Sequence, residues 1–210
     1  HDAPVGVADT KTTNEDTSAS GNVLSNDTDV DANTLSVTQF VWNGVTTLAG
    51  GTATIAGVGT LAIGSNGAYT FTPVANYNGP VPTATYTLTD SFLTATSTLS
   101  ISITPVNDAP VGTADTKTTN KNTAATGNVL SNDTDVDGDT LSVTQFVWNG
   151  VTTAAGNTAT ISGVGTLTIA SDGAYTFTPA ADYHGVVPSA TYTVSDGSLA
   201  ATSTLAVAIT

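Results

Sequence analysis

The chain has 210 residues, 17 of them acidic and three basic, for a formal net charge of −14. That balance excludes a surface built for nucleic acid or for an anionic membrane, and it favours cations as partners. Charged residues are only 10% of the sequence and cysteine is absent, so the polar surface is mostly Thr, Ser and Asn, and no disulfide holds the fold. No run of about 20 apolar residues suggests a membrane span. The sequence opens His1-Asp2-Ala3-Pro4 without a Met, which reads as a piece of something longer whose targeting signals lie elsewhere.

Threonine with regularly placed Val and aromatics favours strands over helices. Residues 5–13 read as a first strand broken near Asp9, and residues 19–24 as a second. An acidic loop follows. Leu35-Ser36-Val37-Thr38-Gln39-Phe40 alternates apolar and polar, although Val41 and Trp42 blur which face each residue takes. Asn43-Gly44 is a strong hairpin turn signal. Residues 45–59 are glycine-rich and read as one short strand and an irregular stretch. Residues 60–63 and 68–71 flank Ser65-Asn66-Gly67 as a hairpin. Residues 73–79 form a corner in which the Tyr77 hydroxyl is expected to lock the crossover. Residues 84–88 make a strand with Tyr86 and Leu88 inward. In the last strand Leu99, Ile101 and Ile103 face one way, and Thr98, Ser100 and Ser102 the other.

The whole pattern then recurs at an offset of 106 residues: Asp2-Ala3-Pro4-Val5-Gly6 returns as Asp108-Ala109-Pro110-Val111-Gly112, and Phe40-Val41-Trp42-Asn43-Gly44 as Phe146-Val147-Trp148-Asn149-Gly150. A solenoid unit runs to only about 20 to 50 residues, so each copy is a complete small domain, 1–106 and 107–210. The link Pro105-Val106-Asn107-Asp108-Ala109-Pro110 is bracketed by prolines and lacks glycine, which makes it short and stiff. Roughly seven or more short strands per repeat, with no helical period, predict an all-β chain of two antiparallel β-sandwiches with Greek-key connections. A different all-β topology of similar size is the alternative.

The acidic loop carries the chemistry. In the second repeat Asp133, Asp135 and Asp137 alternate along the chain, followed by Gly138 and Asp139; in the first, Asp27, Asp29 and Asp31 are followed by Ala32 and Asn33. Carboxylates this close repel unless a cation sits among them. Calcium takes roughly six to eight oxygens, and alternate spacing in a curved loop aims several at one point. The loop is no EF-hand, since Thr144 stands where the bidentate Glu belongs and no helices flank it. Magnesium needs a stricter octahedron, and zinc wants His or Cys. The competing reading is a solvated loop that uses its Asp and Asn for local backbone bonds.

Sandwich topology predicts further acids near that loop: Asp90 or Asp196 in the turn between the last two strands, Asn107 and Asp108 in the link, and Asp115 early in the first strand. These are expected to form a calcium cluster between the two domains, with Glu15 and Asp16 reaching it from the far end of the first. Asp2 and Asp9 are the first-repeat equivalents of Asp108 and Asp115. Lys121 and Asn122 replace Glu15 and Asp16 in the second repeat.

The run Gly-Asn-Val-Leu-Ser-Asn-Asp-x-Asp-x-Asp, with Asn-Asp-Ala-Pro at the boundary, resembles the tandem cadherin-like or immunoglobulin-like extender repeats of bacterial repeats-in-toxin adhesins, and the related VCBS-type repeats. The resemblance covers both repeats. It implies a secreted, cell-surface filament of many such domains, stiffened by Ca2+ near the junctions, whose partners are neighbouring repeats of the same chain and a distal adhesive domain outside this sequence. By the same resemblance Asn107 and Asp108 are linker ligands, and Asp133, Asp135 and Asp137, like Asp27, Asp29 and Asp31, are loop ligands. The Ala32-Asn33 pair departs from the usual Gly-Asp and weakens the first site.

Three other functional classes stand beside this one. Trp42 and Trp148, each before an Asn-Gly turn, suit either a glycan- or surface-binding module or packing at the sandwich edge; packing is favoured. An enzyme finds little support: His184 is the only internal histidine, there is no Cys or Arg, and Asn78 stands in its place in the other copy. Homophilic contact would have to overcome the negative surface.

Overall fold

A computed structural model describes His1–Thr210. Residues His1–Val106 and Asn107–Thr210 form two compact units. The first holds nine strands: β1 (Asp9–Asn14), β2 (Ala19–Asn22), β3 (Ser36–Trp42), β4 (Val45–Leu48), β5 (Thr52–Ile55), β6 (Gly59–Ile63), β7 (Ala68–Pro73), β8 (Ala84–Thr89) and β9 (Thr94–Thr104). They lie in a five-stranded sheet, β1-β9-β8-β3-β4, and a four-stranded sheet, β2-β7-β6-β5. The second unit repeats this plan with β10 (Asp115–Thr119), β11 (Ala125–Asn128), β12 (Ser142–Trp148), β13 (Val151–Ala154), β14 (Thr158–Ile161), β15 (Gly165–Ile169), β16 (Ala174–Pro179), β17 (Ala190–Ser195) and β18 (Ala200–Ile209).

Period-two alternation produces the two layers. Ala84, Tyr86 and Leu88 of β8 are buried while the residues between them reach solvent, and Leu61 and Ile63 of β6 do the same in the facing sheet. Trp42 of β3 meets Phe71 of β7 edge-on across the layers, with ring centroids 6.0 Å apart. A bulge between Val37 and Gln39 resets the alternation of β3, so that Val37, Phe40 and Trp42 all point inward. This is why the sequence blurred there. Trp42 and Trp148 are each 1% exposed, and their indole N–H groups donate to the Pro82 and Pro188 carbonyls at 2.7 Å. Neither ring can stack on a sugar.

Three local expectations change. The glycine-rich stretch holds two strands: β4 edges one sheet and β5 the other, and the chain switches sheets at Gly50-Gly51, where Gly50 has φ +87. Both are four-residue edge strands in which Ala53 is the one buried side chain, so their alternation is faint. The first strand begins only at Asp9, because the chain ahead of it is drawn to the acidic loop; Val5 pairs with Thr28 in an isolated bridge. Finally, β1 runs parallel to β9, from Asp9↔Leu99 to Asn14↔Thr104, although every other ladder in the unit is antiparallel. The Tyr77 hydroxyl bonds the Pro80 carbonyl at 2.7 Å, so it braces the crossover locally.

Candidate metal centre

In each unit the acidic loop joins the second strand to the third. Its carboxylates take part in three groupings, with Asp137 in two of them. Asp133 turns inward: its Oδ1 accepts the Thr113 N–H at 2.7 Å, and its Oδ2 lies 3.1 Å from the Tyr192 hydroxyl. That hydroxyl also lies 2.9 Å from the Val129 carbonyl, 3.0 Å from Asp115 Oδ2 and 3.3 Å from the Thr113 carbonyl. Tyr86 is placed alike among Val23, Asp27, Asp9 and Val7. One proton thus serves four oxygens around Tyr86 and five around Tyr192. Burial pushes the Asp9 and Asp115 carboxyls up; the tyrosine bond opposes the shift, and the neighbouring Asp27 or Asp133 charge adds to it. Burial also pushes both tyrosine hydroxyls well above their usual range. Sequence reasoning placed Tyr86 inward but missed this role; the available signal was a tyrosine mid-strand on the core face, whose buried hydroxyl needs an acceptor.

Asp135, Asp137 and Asp139 form the second group: one carboxylate oxygen from each lies within 4.8 Å of the others. Asp135 Oδ1 accepts the N–H of Asp137 at 2.9 Å and of Asp139 at 3.3 Å, while its Oδ2 is buried and accepts no hydrogen bond. Asp29 repeats this with Asp31 and Asn33, at 2.9 and 3.1 Å, and its Oδ2 is likewise buried and unbonded. The local backbone bonds of the competing reading therefore exist, and they use only half of each carboxylate. Repulsion between two such charges is on the order of 1 kcal/mol in water and several times that where water is thinned. The loop can fold against that cost, and a divalent ion among the oxygens would remove it. Three oxygen donors of this kind, with no nitrogen or sulfur, fit a hard cation such as calcium.

The third group pins the incoming segment. Asp137 Oδ2 accepts the Asp108 N–H at 2.8 Å, and Val111 and Thr134 exchange both backbone bonds, at 2.7 and 3.0 Å. With Asp133 on Thr113, the segment 108–113 is laced along the loop at three points. Asp2, Val5 and Val7 are held in the same way by Asp31, Thr28 and Asp27. Asn107 donates its amide to Asp196 Oδ2 at 2.8 Å and to the Asp108 carbonyl at 3.0 Å. That amide first, and the Leu199 and Ser198 N–H groups after it, hold the Asp196 carboxyl below its usual range. Asp90 is held low mainly by the Leu93 N–H. Glu15 and Asp16 lie at the opposite end of the first unit. Glu15 is 3% exposed and accepts the Val106 N–H, whereas Asp16 accepts the Asn76 N–H at 2.8 Å.

A family model described as the bacterial cadherin-like domain matches residues 1–105 and again residues 107–210. The chain belongs to that family. Its two cadherin-like domains account for essentially the full sequence. Among solved structures, an I-band fragment from titin covers 99% of this chain and 65% of its own length at 9% identity, with a TM-score of 0.43. The titin domains z1z2 in complex with telethonin match at 15% identity with a TM-score of 0.37, covering 99% of this chain and 96% of theirs. An endo-fucoidan hydrolase of glycoside hydrolase family 107 matches at 14% identity with a TM-score of 0.34; the match covers 99% of this chain but 29% of that one. No curated protein matches the chain. No helix is long and apolar enough to cross a membrane.

Proposed function

We propose that this cadherin-like pair is a non-catalytic spacer, part of the extender region of a large bacterial repeats-in-toxin adhesin, secreted to the cell surface, where it holds a distal ligand-binding domain away from the cell. Calcium at the acidic loops stiffens it. Asp135, Asp137 and Asp139 would hold the ion in the second domain, and Asp29, Asp31 and Asn33 in the first. When bound, calcium neutralises like charges that otherwise push the loop open. The observation that carries this reading is the buried, unbonded Asp135 Oδ2 in the same loop that laces down the incoming segment. Whatever fixes the loop also fixes the direction in which the chain approaches the domain.

Against catalysis stands the setting of His184, an exposed ring whose Nδ1 bonds the Asp182 carbonyl at 2.9 Å within its own crossover. The deciding experiment is a calcium titration of the two-domain chain followed by amide NMR. Resonances of Asp108, Thr113, Asp137 and Asp139 should shift at millimolar calcium or below, and their exchange with solvent should slow. Asp135→Asn should abolish the response in the second domain and spare that of the first. Unmoved spectra at millimolar calcium would sink the proposal.

A further inference from the structure

The exit of the first domain carries a side-chain fastening at Glu15, a position that is Lys121 in the second domain. Strand β9 ends at Thr104, and Pro105 has no N–H, so the Val106 N–H is the first backbone donor available past the end of the ladder. The Val106 side chain is 44% exposed, so packing does little to hold it. Glu15 meets this segment at two points: its own N–H donates to the Thr104 carbonyl at 3.0 Å, and its carboxylate Oε1 accepts the Val106 N–H. The side chain is 3% exposed, an unusual degree of burial for a carboxylate that no cationic side chain pairs with.

We infer that Glu15 is a positioning residue, a clasp that fastens the outgoing segment to the first domain and makes Val106 mechanically part of it. The bond uses Oε1 alone and leaves Oε2 buried without a hydrogen bond, and it forms without an ion, so the clasp goes beyond the calcium reading. An ionised carboxylate would make it firm, since a hydrogen bond to a charged acceptor is roughly twice as strong as a neutral one. The counterpart in the second domain, Lys121, repeats the main-chain half, with its N–H on the Thr210 carbonyl at 3.2 Å. An ammonium offers donors and no acceptor, so a lysine cannot hold a backbone N–H. A domain with glutamate at this position therefore releases its outgoing chain one or two residues later than a domain with lysine.

The test is hydrogen exchange of the Val106 amide in the two-domain chain, in EDTA and again in calcium. Glu15→Lys and Glu15→Ala should speed that exchange about tenfold or more, while Glu15→Gln, which keeps an acceptor oxygen, should leave it within a few-fold of wild type. A scalar coupling across the hydrogen bond, from Val106 nitrogen to the Glu15 carboxyl carbon, should be visible in the unaltered protein, so the result does not depend on a variant folding. Equal Val106 exchange in all four proteins, or absence of that coupling, would overturn the clasp. Protection that appears only with calcium would overturn it too, while leaving the calcium reading intact.

Discussion

The Tyr192 hydroxyl has one proton to give and five oxygens within reach, three of them on carboxylates. Removing it strands buried acceptors, so Tyr192→Phe should cost about 1 to 3 kcal/mol, read as a lower urea midpoint at unchanged slope. The same cluster sets a pH dependence. Asp115 binds its proton more tightly in the folded chain than in the unfolded one. Between the two values the native state carries the extra proton, so stability falls as pH rises through that window. Asp115→Asn keeps an oxygen for the hydroxyl and removes the charge. It should unfold at a higher temperature than wild type at neutral pH, with the gap narrowing as pH drops into the carboxylate range. A constant gap from pH 7 to 4 would show that the charge is not the cause.

At the scale of the element, the two acidic loops make the same turn with different residues. Gly138 has φ +78, and Ala32 in its place has φ +58, a left-handed conformation in which a Cβ crowds the following carbonyl. An ideal Cβ built at Gly138 meets nothing within 4 Å, so any penalty for alanine there is a backbone penalty. Ala32→Gly should therefore raise the unfolding free energy of the first domain by about 1 kcal/mol, and Gly138→Ala should lower that of the second by about 1 to 2 kcal/mol. Opposite signs in thermal unfolding are the check. This loop also marks how far the sequence could be read. Alternate acids announced an oxygen-rich turn, and Asp135, Asp137 and Asp139 do converge. Spacing could not reveal that Asp133 would swing to Tyr192, since that depends on a strand about sixty residues away. Strong alternation made β6 to β9 legible, and Asn43-Gly44 takes up the left-handed turn its sequence announces, at φ 50 and 77. The short edge strands β4 and β5 and the parallel course of β1 follow from sheet assembly, which no local pattern encodes.

For the whole molecule, the net charge of −14 is carried chiefly by loops, while strands β2 to β8 have no charged side chain. Added sodium chloride should screen exposed charges and raise the melting temperature modestly. If the acidic loops bind calcium only when folded, calcium chloride at matched ionic strength should raise it further, by about 2.7 kcal/mol of stability at a hundredfold excess over the dissociation constant, with magnesium weaker. Equal melting curves in the three salts would reduce the effect to screening.

The parallel contact of β1 with β9 bears on how such a domain would respond to load. Six residue pairs join the first strand to the last, in step, and the chain comes in beside Leu99 and goes out beside Thr104. Tension on the two ends would slide one strand along the other, straining every rung of that ladder together instead of unzipping them in turn. A tether assembled from such links would hold its length up to a sharp yield point, and the Glu15 clasp sits on the last rung.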